Sequence, residues 1–285
     1  MFAKPRYINA GGKLIDLQVP KVVGILNVTP DSFYKDSRYI DEDSLITAAG
    51  RMIEEGADIL DVGGYSSRPG AKNIPVWEEK KRVLPAIKLI LSQYPATIIS
   101  VDTFRSEIAR EAVCDYGAHI INDISGGEAD SKMLQLIEQL RVPYILMHMQ
   151  GMPGTMQLNP RYEEVVSDII LWFGKRIAKL QSSGVSDIIV DPGFGFGKTI
   201  TQNFEILNRL QEFSITGLPV MAGISRKSMI WKTLDIKPED ALNGTTVLNT
   251  IALMNGADIL RVHDVREAVE AIKLVENLKQ EIFKE

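Results

Sequence analysis

The sequence predicts an α/β fold, a (β/α)8 TIM barrel with an N-terminal β-hairpin cap, spanning residues 1–285 as a single domain. Three observations carry that expectation. A Gly-Ala-Asp unit recurs at Gly56, Gly256 and, as Gly-Ala-His, Gly117; eight short apolar runs each end in a polar residue; and their spacing is regular. From Asn27 to Arg261 it averages about 33 residues, the length of a βα unit. A doubly wound open sheet competes, but it needs no set of eight.

The elements follow in order. Residues 1–20 stand outside the repeat: Arg6–Asn9 and Lys13–Asp16 flank Ala10-Gly11-Gly12, a hairpin pattern placed to plug the bottom of a barrel. The eight runs are VVGILN to Asn27, ADILD to Asp61, TIISVD to Asp102, HIIN to Asn122, YILMH to His148, DIIVD to Asp191, VMAGIS to Ser225, and DILRVH with Arg261 and His263. Amphipathic stretches such as SLITAAGRMIEE precede the glycines, which suit a left-handed helix stop, and the apolar runs read as buried parallel strands. Barrel active sites lie at strand C-termini, where these polar residues fall.

Composition narrows the function classes. The chain is 45% hydrophobic and 24% charged with a net charge of −5, so no global field draws it to nucleic acid or an anionic membrane. No signal-peptide core and no run of 18 apolar residues is present, and the cytoplasm is the expected location. The single cysteine, Cys114, falls in the helical pattern SEIAREAVCDYG and reads as packing.

The stretch VDPGFGFGKT, Val190 to Thr199, imitates a nucleotide-binding loop, but Pro192 stands where the Walker spacing needs its first Gly. The glycines instead let the chain turn sharply off the sixth strand, with Asp191 aimed into the mouth and Phe196 as a wall; Lys198 is read as solvated. Asp102, Asn122 and Asp191 could each be a helix cap. Together on one rim they suit a flat ring edge rich in N–H donors, as in guanine or pterin. Arg68, Lys227, Arg261 and His263 form a cationic set, and Arg261 interrupts an apolar strand where an unpaired cation is costly. Ser228 is placed to open the helix after Lys227. His148 reads as a hydrogen-bonded structural residue. Neither HExxH nor a Cys/His cluster occurs, so zinc is not expected; Mg2+ held by substrate phosphates and one protein oxygen is compatible.

At these residues the chain resembles the bacterial dihydropteroate synthase family along its length. The matching pieces are Asn27-Val28-Thr29-Pro30-Asp31-Ser32-Phe33, Asp61-Val62-Gly63-Gly64, Ser67-Arg68-Pro69-Gly70, Ser100-Val101-Asp102-Thr103, Ile121-Asn122-Asp123, Asp191 to Lys198, Ser225-Arg226-Lys227-Ser228 and Arg261-Val262-His263. The resemblance implies condensation of (7,8-dihydropterin-6-yl)methyl diphosphate with 4-aminobenzoate, giving 7,8-dihydropteroate and diphosphate in folate synthesis. It implies Asp102, Asn122, Met147, Asp191, Lys227 and Arg261 around the pterin, and Ser67, Arg68, Arg261 and His263 on the diphosphate. Phe33, Pro69, Phe196, Lys227 and Ser228 would form the aminobenzoate pocket, Asn27 would ligate Mg2+, and late helices would form a homodimer. Tyr65 stands where the family often has Glu, Ser67 where it often has Thr, and YKDSRY follows Phe33 in place of a Gly-containing turn. A dissociative, SN1-like displacement is expected, with Arg261→Ala losing activity far more than stability. A pterin-binding methyltransferase barrel and a non-catalytic pterin-binding protein are the alternatives.

Overall fold

The computed structural model describes residues 7–29, 34–35, 39–66, 73–151, 156 and 160–282. The barrel strands are β3 (Lys21–Asn27), β6 (Ile59–Gly63), β7 (Ile98–Asp102), β8 (Ile120–Asp123), β9 (Tyr144–Met147), β10 (Ile188–Asp191), β11 (Met221–Ala222) and β12 (Ile259–Val262), while β4 (Tyr34–Lys35) and β5 (Tyr39–Ile40) form a separate antiparallel pair. All pair in parallel, in the order β10-β9-β8-β7-β6-β3-β12-β11, and a bridge between Val190 and Val220 joins the two ends of the row. The eightfold expectation holds. The seventh strand is shorter than its apolar run, because the chain leaves the sheet after Ala222 and turns through Gly223 towards Ser225.

Helices cover the outside: α1 (Glu42–Glu54), α2 (Val76–Gln93), α3 (Ser106–Cys114), α4 (Met133–Leu140), α5 (Val165–Ser182), α6 (Ile200–Asn208), α7 (Ser228–Leu234), α8 (Leu242–Met254) and α9 (Val265–Ile282). The repeated glycines act as predicted. Gly56, Gly117 and Gly256 have φ of +101°, +81° and +88°, the left-handed region where a side chain is strained, and Gly184, ahead of the sixth barrel strand, shares it at +85°. The repeat's aspartates tie down the start of a neighbouring strand: Asp58 accepts from the Val22 N–H at 2.8 Å and Asp258 from the Val220 N–H at 2.7 Å.

Inside the barrel each strand contributes one apolar residue to a single bottom layer. Val23, Ile59, Ile120, Ile145, Ile189, Met221 and Ile259 are buried together, with Ile98 packed against them. The hairpin β1 (Tyr7–Ala10) and β2 (Lys13–Asp16) closes this layer from below with Ile8, Ala10 and Ile15. Full burial of such side chains stabilises by roughly 1.5–3 kcal/mol each, which seats the plug without any chemistry. Gly11 and Gly12, both at positive φ, make its two-residue turn. Two other local expectations are corrected. Cys114 is exposed at the last turn of α3 rather than packed, because its face of the helix looks outward. Lys198 is buried rather than solvated, its ammonium turned back onto the Gly193 and Phe196 carbonyls.

Candidate active site

Side chains alternate across a strand with a period of two, so the residues two positions above the apolar layer also face inward. Those residues are Ile25, Asp61, Ser100, Asn122, Met147, Asp191, Gly223 and Arg261. Two residues further along the same inward face, the oily floor gives way to a largely polar ring. The adjacent strand residues do something else: Asp123 points the other way and accepts from Ser125 N–H, Ser125 Oγ, Gly127 N–H and Tyr144 Oη, a buried loop anchor.

Arg261 is the hub of the polar ring. Its Nε donates to Asp61 Oδ2 and its Nη2 to Asp102 Oδ2, each at 2.7 Å. Asn122 Nδ2 donates to the same Asp61 oxygen at 2.8 Å. Gly63 permits this crowding, since a methyl group there would lie 3.2 Å from Asp102 Cβ. The Arg261 cation is thus accounted for by two carboxylates. Burial nevertheless dominates at Asp102 and pushes its carboxyl up, with the Asp61 charge adding to the shift and Arg261 opposing it.

Asp61 Oδ1, Ser100 Oγ and Asn122 Oδ1 are buried without a hydrogen-bond partner. Among the described residues only Asn249 Oδ1 shares that condition, so the orphans concentrate in one layer of the barrel. Buried polar atoms are rarely left unpaired, and a cluster of acceptors awaits donors from something that enters the mouth. Asp191 sits beside them. Burial pushes its carboxyl up, while the Lys227 ammonium and the Gly193 N–H, donating at 2.7 Å, draw it back down. A methyl group at Gly223 would lie 3.6 Å from Asp191 Oδ2 and 3.9 Å from both Arg261 Cβ and Lys227 Nζ, so the three side chains surround one point. Burial pulls the Lys227 ammonium down to about 8, against the attraction of Asp191.

An apolar wall completes the mouth: Ile124, Met147, Met149 and Met156 are buried as a cluster, with Phe104 and Phe196 packed against it. Lys227 Nζ donates to the Phe194 carbonyl and lies 4.5 Å from the Phe196 ring centroid. Ser228 is the first residue of α7, as expected. His263 Nδ1 lies 3.0 Å from Ser225 Oγ, and Asn27 ends β3 half-buried at the same rim. Phe33, Ser67, Arg68 and Pro69 lie outside the described residues. Asp102, Asn122 and Asp191 are not helix caps: those of α3, α4 and α6 are Arg105, Lys132 and Thr199.

The pterin binding enzyme family matches residues 23–263, from the first barrel strand to His263. The dihydropteroate synthase of Escherichia coli strain K12 is 44% identical over 269 residues, 94% of either chain. The chain belongs to the pterin-binding dihydropteroate synthase family. Another member, the Haemophilus influenzae dihydropteroate synthase, is 40% identical over 93% of this chain and 96% of its own. Among solved family structures, the Yersinia pestis dihydropteroate synthase in complex with a sulfonamide drug superposes with a TM-score of 0.90 at 38% identity, covering 96% of this chain and 99% of that one. The Xanthomonas albilineans dihydropteroate synthase in complex with 7,8-dihydropteroate gives a TM-score of 0.85 at 35% identity, over 96% and 98%.

Two members of the ring escaped the assignment of site residues. Asp61 ends its apolar run like the others, and its inward parity with Asn122 and Asp191 was the available signal. Ser100 carries no signal beyond that parity.

Proposed function

We propose that this family member condenses (7,8-dihydropterin-6-yl)methyl diphosphate with 4-aminobenzoate to give 7,8-dihydropteroate and diphosphate in folate synthesis. The carrying observation is the cluster of unpaired buried acceptors, Asp61 Oδ1 and Asn122 Oδ1, beside the Asp191 carboxylate. A 2-amino-4-oxo ring offers adjacent N–H and NH2 donors to such a wall, and the Met147 cluster offers its face an apolar surface. Lys227, 3.9 Å from the same point as Asp191 Oδ2 is 3.6 Å, is placed to donate to a ring acceptor.

The aminobenzoate nitrogen attacks through its neutral lone pair, so no strong general base is needed. The demanding event is C–O cleavage, and its electrons leave with the diphosphate. Arg68, Ser67, His263 and the remaining Arg261 N–H groups would grip that leaving group, and one preorganised contact of this kind is worth about 3 kcal/mol. Carboxylates at the pterin edge would favour positive charge delocalised from the methylene, which supports a dissociative, SN1-like path. The experiment follows diphosphate release from the pterin substrate without and with 4-aminobenzoate. Slow release without the amine, and rapid dihydropteroate formation with it, is the expected pair; pterin binding with no turnover would instead favour a binding protein.

Mg2+ fits this site without a protein cage. No group of three or more acidic, His or Cys side chains is placed to hold a metal among the described residues, whereas Asn27 offers one amide oxygen at the rim. Such an ion would be held by Asn27 and the substrate's own phosphates, and when bound it supplies charge neutralisation at the departing diphosphate.

A pH dependence follows from Lys227. Its cationic form is present below about 8 and is lost as pH rises through that value. The kcat/KM profile is expected to fall on its alkaline side near pH 8, and Lys227→Arg, weaker throughout, is expected to lose that limb because a guanidinium stays charged.

We further read the protein as a cytoplasmic homodimer. Val247, Ile251 and Met254, at 50%, 39% and 47% exposure, share one face of α8, and Leu274 and Leu278 extend it on α9, which packs alongside. Ile251→Glu is expected to shift sedimentation from dimer to monomer; an unchanged sedimentation coefficient would remove this face from the interface.

A further inference from the structure

Lys198 lies outside the machinery used above, yet it is only 3% exposed. Its ammonium reaches four acceptors: the carbonyls of Phe196 at 2.9 Å, Gly193 at 3.0 Å and His148 at 3.3 Å, and His148 Nδ1 at 3.1 Å. An ammonium has three donors and no acceptor, so it is fully engaged by the protein and nothing remains for a phosphate. The same geometry makes Nδ1 the acceptor, which leaves the His148 ring neutral, with its edge set against Trp172 at 4.9 Å between centroids.

These contacts join two different mouth loops, the one after β9 and the glycine loop after β10. The loops interlock closely. A Cβ on Gly193 would sit 1.9 Å from the His148 carbonyl oxygen, and one on Gly197 would sit 2.4 Å from that of Gln150. Tyr162 adds a peripheral tie, its Oη donating to the Gly197 carbonyl at 2.9 Å. Between the pinned residues the loop presents the Phe194 carbonyl, which receives the Lys227 ammonium, and the Phe196 ring beneath that same ammonium.

We infer that Lys198 is a positioning residue: by binding the His148 loop to the Gly193 and Phe196 carbonyls, it holds the backbone that seats the Lys227 ammonium and the Phe196 ring. The role of that seat in receiving 4-aminobenzoate rests on the function proposed above. The Gly-Lys-Thr ending of the loop then has its explanation: the lysine faces back into the loop as an internal strut.

Two measurements on the full chain test this. Hydrogen exchange of the amides at residues 193–197 needs no substrate: Lys198→Met and His148→Leu are expected to accelerate it about tenfold or more, and His148→Gln, which keeps an acceptor, to lie near wild type. Unchanged exchange in Lys198→Met would overturn the inference. Steady-state kinetics then supply a readout that simple destabilisation does not move. KM for 4-aminobenzoate is expected to rise about tenfold in Lys198→Met and by a smaller factor in Tyr162→Phe, with kcat retained within about threefold. Unchanged KM in both variants, against an active wild type, would likewise overturn it. Should Lys198→Met fail to fold, His148→Leu and Tyr162→Phe carry both measurements. An inactive wild type would sink the substrate assignment, and exchange would still judge the strut.

Discussion

Asp191→Asn is expected to lower kcat/KM by about 10³-fold while leaving the protein at least as heat-stable as wild type. The two effects have separate causes. A carboxylate accepts from two ring donors at once, each charge-assisted bond being worth roughly 1.5–3 kcal/mol, whereas the amide offers one oxygen and turns an NH2 towards another donor. Folding registers the opposite balance. Burial raises the Asp191 carboxyl above its unfolded value, so its ionisation weakens the native state progressively as pH climbs from the unfolded value through the folded one. The amide removes that cost, and its oxygen still accepts from the Gly193 N–H that Asp191 Oδ1 receives at 2.7 Å. Any gain in Tm should therefore grow with pH. Paired measurements of turnover and thermal melting at two pH values decide it. A large drop in Tm, with activity lost in proportion, would make Asp191 a structural residue.

How much of this site the sequence discloses depends on what kind of force places each residue. The barrel and the Asp102, Asn122 and Asp191 rim follow from strand periodicity, a local property, and the N-terminal plug follows from a Gly-Gly turn between alternating apolar residues. Asp61 was visible in the same pattern but indistinguishable from a cap without knowing which face of β6 looks inward. Lys198 was the opposite case. A lysine beside three glycines looks solvated, and its burial depends on the ring nitrogen and carbonyl of His148, fifty residues away in the chain, that only the folded loops bring within 3.3 Å. Cys114 fails for a related reason: a helical pattern shows which residues share a face, and the exposed side of the last turn is set by what packs against α3.

Arg261→Ala is expected to cost stability as well as activity, and the two ion pairs of Arg261 make the stability cost larger than an expectation of loss falling mainly on activity implies. An apolar strand interrupted by an arginine shows that the cation needs a partner; it does not show that the partners need the cation. Asp61 is fully buried and Asp102 is 18% exposed, and both end on one guanidinium. Removing one member of a buried charge set typically destabilises by about 3–5 kcal/mol, because the remaining charge loses its compensation. The sign with pH is fixed. Burial already raises the Asp102 carboxyl above its unfolded value, and without Arg261 the cation opposing that rise is gone, so the native state is favoured when Asp102 is protonated and penalised as pH rises. Denaturant midpoints should therefore place the variant nearer wild type at pH 5 than at pH 8, whereas kcat/KM should remain depressed at both. The double variant Arg261→Leu with Asp61→Asn should recover much of the lost stability without recovering turnover, since one uncompensated anion is gone while the cation facing the substrate is still missing. A stability deficit that is flat in pH would mean that Arg261 does not balance this pair, and full recovery of turnover in the double variant would remove it from the chemistry.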